Sequence, residues 1–321
     1  MCIRDRAKTW RFELFYWDYI IGMLLFGLVV VFTLGSHGSQ GRSFLTDLQQ
    51  ADAINLTMPL IGGAIFNLSN ILLVAAIAMI GMAISVPLGI GIAMILGVII
   101  NYMSDPGKYN PYFLFSGLVL IAFAMVFDSI AYMQISKDSG KKPSKKGIII
   151  TILSGLLMSV FYAFVASAMS KFEFSPANNG AFTLNPLEAG KLTPYTALLF
   201  FFIGAFISNF IWNTYMMYKP VEGEPVTYKQ YFKGSFKLHL AGVLGSIIWG
   251  IAFTTNLIAA PVAGSAVSYG LGQGSTLVVI MWGVFVWKEF KGAPKKANIY
   301  LILTFIAFLA GLACIVLAGA K

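Results

Sequence analysis

Two carboxylates lie inside apolar runs, Asp18 in FYWDYI and Asp128 in MVFDSIAY. Ionising an acid in hydrocarbon is costly unless a partner or water is near, so each is a candidate for taking up and releasing a proton. Amides and rings recur at helical spacing around them. Tyr269, Gln273 and Thr276 fall at i, i+4 and i+7 of one run, Gly63, Asn67 and Asn70 form a stripe on a second, and Trp249, Phe253 and Asn256 form one on a third. Asn209 and Asn213 make a further amide pair. A stacking ring flanked by amides suits a planar or sugar-like solute. The same residues also serve as hydrogen-bonded glue between helices, and both readings stay open at this stage.

Catalytic chemistry has no such footing. There is no Ser/His/Asp arrangement, no His/Cys cluster and no phosphate-cradling loop, and two histidines are too few for a built metal site. No catalytic residue, metal or cofactor is predicted; a proton is the expected coupling ion. His239 opens an apolar run beside Lys237 and reads as interfacial, and Glu289 between Lys288 and Lys291 reads as a solvated loop charge.

The elements that carry these residues are long and oily. Of 321 residues, 58% are hydrophobic and 11% charged, and the mean hydropathy is +0.79. That composition is far too apolar for a soluble domain. Apolar runs fall at about 15–34, 54–79, 81–100, 112–135, 147–169, 195–217, 238–259, 266–287 and 298–319. The fold class is therefore all-α, a polytopic bundle of about nine membrane-spanning helices. The stretch from Ser170 to Pro194 has loop composition, so no separate domain outside the membrane is expected.

The net charge of +9 does not point to nucleic acid, because the basic residues sit in short clusters between the runs. Of the 22 Lys and Arg, 17 fall on the side of the N-terminus and of loops 136–146, 218–237 and 288–297. That side is predicted to be cytoplasmic, with the protein multi-pass in the cell membrane. Cys2 and Cys314 give no disulfide framework or metal site. The opening MCIRDR resembles a translated sequencing adapter, so true sequence is expected from about Ala7.

An internal match adds a clue. Ser85-Val-Pro87-Leu88-Gly89-Ile-Gly91 and Ser268-Tyr-Gly-Leu271-Gly272-Gln-Gly274 both read S-x-[PG]-L-G-x-G. Alternate crossing makes the two copies, on the third and eighth runs, opposite in direction. Inverted repeats with Pro and Gly breaks at matching places mark solute sites in transporters. Pro87, Gly89, Gly91, Gly272 and Gly274 are thus candidates to form one, with close helix packing as the alternative.

The segments WDYIIG (17–22), FTLGSHG (32–38), IGGAIFNLSNIL (61–72), NYMSDP (101–106), KPVEGEPVTYKQYFKG (219–234) and YGLGQGSTLVVIMWGVFVWKEFKG (269–292) resemble the ureide permease family. More loosely they resemble the glucose, ribose and rhamnose uptake branch of the drug/metabolite transporter superfamily. The likeness runs from about Ala7 to Ala320. It implies ten helices in two inverted five-helix halves, here 7–135 without the first helix and 147–321, joined by the basic loop 136–146. It also implies a secondary transporter of small polar solutes, ureides and nucleobases in plants or monosaccharides in the sugar branch. Asp18 matches the acidic position of the family's aromatic-Asp-Tyr motif. A membrane receptor that binds without transporting is the reading from another class.

Overall fold

The computed structural model describes residues 10–37, 42–135, 144–171, 174–176, 182–184, 187–221, 223–286, 288 and 290–319. MCIRDR, most of the basic loop 136–146, Glu289 and Lys321 lie outside them. Among the described residues, nine helices are long and apolar enough to cross a membrane, and their limits follow the nine apolar runs within a few residues. They are formed by α1 (Phe12–Phe32), α2 (Ala53–Ile80), α3 (Met82–Met103), α4 (Pro111–Ile135), α5 (Lys145–Ala168), α6 (Pro194–Tyr218), α7 (Phe236–Ala263), the pair α8 (Ser265–Gly272) and α9 (Ser275–Met281), and α10 (Lys295–Gly319). Helices dominate because hydrocarbon offers backbone groups no other partner. Within the loop 170–194, Phe174–Pro176 and Phe182–Leu184 pair as short antiparallel strands, β1 and β2.

The chain divides into two compact units. The first holds residues 1–71 and 161–262, the second 72–160 and 263–321. In the first, helices meet through small residues. A Cβ on Gly63 of α2 would overlap the Phe201 carbonyl of α6 and lie 2.8 Å from the Ala205 nitrogen. A Cβ on Gly22 of α1 would overlap Ser246 Oγ and lie 2.9 Å from the Val243 Cα of α7. Without an apolar driving force between helices in lipid, such close approach supplies the dispersion contact that holds them. Outside the spans, the fully buried Asp47 accepts from Arg42 Nε at 3.0 Å and from the Thr193 N–H at 2.8 Å, tying two loops together.

The second unit packs α3 against α8 in opposite directions. Ser265 reaches the Asn101 carbonyl, while Tyr269, one turn later, reaches back to Ala93. Each segment starts from a glycine that only glycine suits, Gly81 at φ 83° and ψ 159° and Gly264 at φ 86° and ψ 148°. Gly264 follows Gly81 at the same offset by which Ser268 follows Ser85. The helices that precede these glycines, α2 and α7, are 28 residues each. Cap, length and opposite direction thus extend the match beyond the motif itself.

The matched segments differ at their breaks. Pro87 and Gly89 lie inside a continuous α3, where a Cβ on Gly155 of α5 would come 2.6 Å from the Gly89 carbonyl. This is close helix packing. Around Gly272–Gly274 the α-helical ladder gives way to shorter bonds, Gly274 N–H to the Leu271 carbonyl and Thr276 N–H to the Gln273 carbonyl. The i, i+4, i+7 stripe of Tyr269, Gln273 and Thr276 presumes an unbroken α-helix, which the chain does not form there.

Candidate functional site

In the first unit, α2, α5, α6 and α7 bring aromatic rings and amides together. The Trp249 ring stacks on Phe66 at 5.0 Å and 27° and on Phe253 at 4.8 Å and 17°. Phe201 lies beyond at 6.4 Å and 27°, and Phe161 packs on Phe66 at 5.1 Å. Polar groups border this stack. Asn67 Nδ2 donates to the Ala205 carbonyl at 3.2 Å and to Ser208 Oγ at 2.9 Å. The Tyr162 hydroxyl donates to Asn256 Oδ1 at 2.7 Å, and Asn70 Nδ2 donates to the Phe66 carbonyl of its own helix at 3.2 Å. The rings cover one another's faces, so a flat polar molecule would stack here by replacing a ring–ring contact, with the amides at its edge.

The same unit holds Asp18, about 9 Å along α1 from Phe12 at 1.5 Å per residue. Its carboxylate is 4% exposed, and Oδ1 accepts from the Tyr231 hydroxyl and from His239 Nδ1–H, each at 2.7 Å. Burial and the adjoining carboxylate hold the Tyr231 phenol well above its ordinary pKa, so it remains a donor. Trp10 stands edge-on to the His239 ring at 5.4 Å. A Cβ on Gly242 would come 2.5 Å from Asp18 Cβ, so α7 meets α1 directly at the acid. His239 is therefore a partner of Asp18, contrary to its reading as a mere interfacial residue. The two are 221 positions apart, and no local pattern in sequence links them.

The remaining candidates lie in the second unit. The Tyr269 hydroxyl sits 3.0 Å from both the Ala93 and the Met158 carbonyl, and the Gln273 N–H donates to the Tyr269 carbonyl at 3.2 Å. A Cβ on Gly97 would overlap the Tyr269 ring. Asp128 on α4 and Thr276 on α9 are buried, Gly91 faces Met125, and Gly274 faces Leu312. Among the described residues no group of three or more His, Cys, Asp or Glu is arranged to hold a metal.

This placement makes Tyr269 a tie among α3, α5 and α8. Tyr269→Phe is expected to lower stability by about 1 kcal/mol, the net value of an ordinary hydrogen bond, with KM for the transported solute unchanged. Thermal unfolding in detergent and initial uptake rates check this; a raised KM at unaltered stability would make Tyr269 a solute contact instead.

A family model described as ureide permease matches residues 15–147 and 138–319, nearly the whole chain. The chain belongs to the ureide permease family. Ureide permease 1 of Arabidopsis thaliana is 24% identical over 345 residues, which cover 93% of this chain and 87% of that protein. Ureide permease 2 of the same plant is 26% identical over 352 residues with the same coverage. Probable ureide permease A3 of Vigna unguiculata is 24% identical over 349 residues, 88% of this chain and 89% of that protein. Ureide permeases are membrane transporters rather than enzymes. The ring stack and Asp18 are thus features of a permease.

Proposed function

We propose that this permease is a secondary transporter of ureides or nucleobases in the cell membrane, driven by protons and working by alternating access. The N-terminal side and the basic loops face the cytoplasm, and 7–135 and 147–321 act as half-repeats. One observation carries the reading: a buried carboxylate hydrogen-bonded to a histidine shares a compact unit with the Trp249 stack and its amides. A titratable pair on α1 and α7 fits proton uptake, because changing its charge alters how firmly those helices are tied. Trp249 on α7 fits solute contact, so one helix links the two functions.

Uptake of labelled allantoin, uracil and glucose into proteoliposomes under an imposed pH gradient tests this. Accumulation of allantoin or uracil that collapses with the gradient is expected. Accumulation of glucose alone would favour monosaccharide uptake, and saturable binding without entry would favour a receptor.

A further inference from the structure

Asn209, on α6 of the first unit, is fully buried, and among the described residues neither its Nδ2 nor its Oδ1 has a hydrogen-bond partner. Asn67, on α2, is also fully buried, and its Oδ1 has none among them. The orientation of the Asn67 amide is fixed chemically: the Ala205 carbonyl it touches only accepts, so Nδ2 must face it and Oδ1 must face away. A dry amide with its donor and acceptor unmade is among the least favourable arrangements a protein interior can hold, and a leucine would pack there at less cost. Three other amides, Asn70, Asn101 and Asn213, each donate to a carbonyl, and Asn101 and Asn213, like Asn67, leave only Oδ1 without a partner among the described residues. Asn209 differs from all three.

Its place on α6 is informative. Asn209 follows Ala205, which meets Gly63 of α2, by four residues, and Phe202, which meets Gly27 of α1, by seven. It therefore lies on the buried side of α6 between those two contacts. The internal match gives a closer location. The offset that carries Ser85 onto Ser268 also carries Gly63 onto Ser246 and Gly22 onto Ala205, two close contacts that mirror each other. The same offset carries Asn67 onto Gly250 and Phe26 onto Asn209. Phe26 and Gly250 are in direct contact, with a Cβ on Gly250 2.6 Å from Phe26 Cδ1. Where one side of the unit has a ring against a glycine, the other has two amides with unused hydrogen-bonding capacity. Asn67 also adjoins Phe66, whose ring stacks on Trp249.

From this we infer that Asn209 and Asn67 form the hydrogen-bonding half of the solute site and bind a urea-type –NH–CO–NH– group, an inference that rests on the transport reading above. The unused atoms are two carbonyl oxygens and one amide nitrogen bearing two hydrogens. A guest that completes them supplies at least two N–H donors and a carbonyl acceptor on one edge, as a urea, hydantoin or pyrimidinedione does. Its N–H groups donate to Asn209 Oδ1 and Asn67 Oδ1, and its carbonyl accepts from Asn209 Nδ2.

The test compares wild-type and Asn209→Leu proteoliposomes for uptake of labelled uracil, with unlabelled uracil and N1,N3-dimethyluracil as competitors, alongside thermal unfolding. Dimethylation removes both N–H donors, so the dimethyl form is expected to compete at least tenfold more weakly in the wild type. Asn209→Leu is expected to raise KM at least tenfold with unfolding temperature unchanged or higher, since the leucine relieves a buried unmade amide. Asn209→Ser serves if the leucine variant does not fold. Wild-type uptake indifferent to methylation overturns the inference, as does a variant with KM within twofold of wild type. A more stable variant with normal uptake would mean that only water meets the amide, which also overturns it. Wild-type vesicles that carry neither uracil nor allantoin overturn the transport reading and this inference together, whereas normal wild-type uptake with an indifferent variant overturns this inference alone.

Discussion

Asp18→Asn is expected to abolish gradient-driven accumulation, at least a tenfold loss, while leaving the protein folded. Asparagine keeps an oxygen in place to accept from Tyr231 and from His239 Nδ1–H, so the contacts between α1, the short helix Tyr228–Phe232 and α7 survive without a titratable group. Asp18→Leu differs, because it leaves two partly buried donors, Tyr231 and His239, without an acceptor, each costing less than the about 1–3 kcal/mol of a fully buried group. Uptake with and without a pH gradient, set beside thermal unfolding, separates the effects. The asparagine variant should equilibrate solute without concentrating it, and the leucine variant should also lose stability. Full concentrative uptake by Asp18→Asn would remove Asp18 from the coupling step. Of the two groups that hydrogen-bond to it, Tyr231 and His239, the histidine is the next place to look.

Gly63→Leu has the largest expected effect on folding. The obstruction is backbone rather than a flexible side-chain end, namely the Phe201 carbonyl and the Ala205 nitrogen, so α6 would have to move as a whole. Overpacking of a kind that side chains absorb costs about 1–3 kcal/mol, and this contact should exceed about 3 kcal/mol. A fall in unfolding temperature of roughly 4 °C or more follows for a chain of this size. Gly22→Leu, at the mirrored contact against Val243 and Ser246, should behave alike. Either variant unfolding at the wild-type temperature would show that these helices do not rely on backbone approach.

The membrane architecture was legible because hydrophobic run length maps directly onto helices that must satisfy their own backbone. All nine spans follow from that rule. The Ser85 and Ser268 motifs led to a pair of helices with matching glycine starts, since a backbone held at positive φ selects glycine and so leaves its mark in the sequence. Details set by tertiary partners were not legible. Pro87 reads as a break, yet α3 runs through it, and Gly89 packs closely against Gly155. Tyr269 reads as a solute contact, and its hydroxyl meets carbonyls contributed by α3 and α5. The pairing of Asp18 with His239 and the unmade amide of Asn209 depend on helices far apart in the chain, and periodicity within one helix carries no trace of them.

The most direct measurement is counterflow. Vesicles preloaded with unlabelled allantoin, with no pH or voltage gradient, receive a trace of labelled allantoin outside. A carrier predicts a transient rise of label inside above equilibrium that depends on the preload and is lost in Trp249→Ala. Label that binds saturably but enters no faster with preload than without would contradict the claim that this protein moves what it binds.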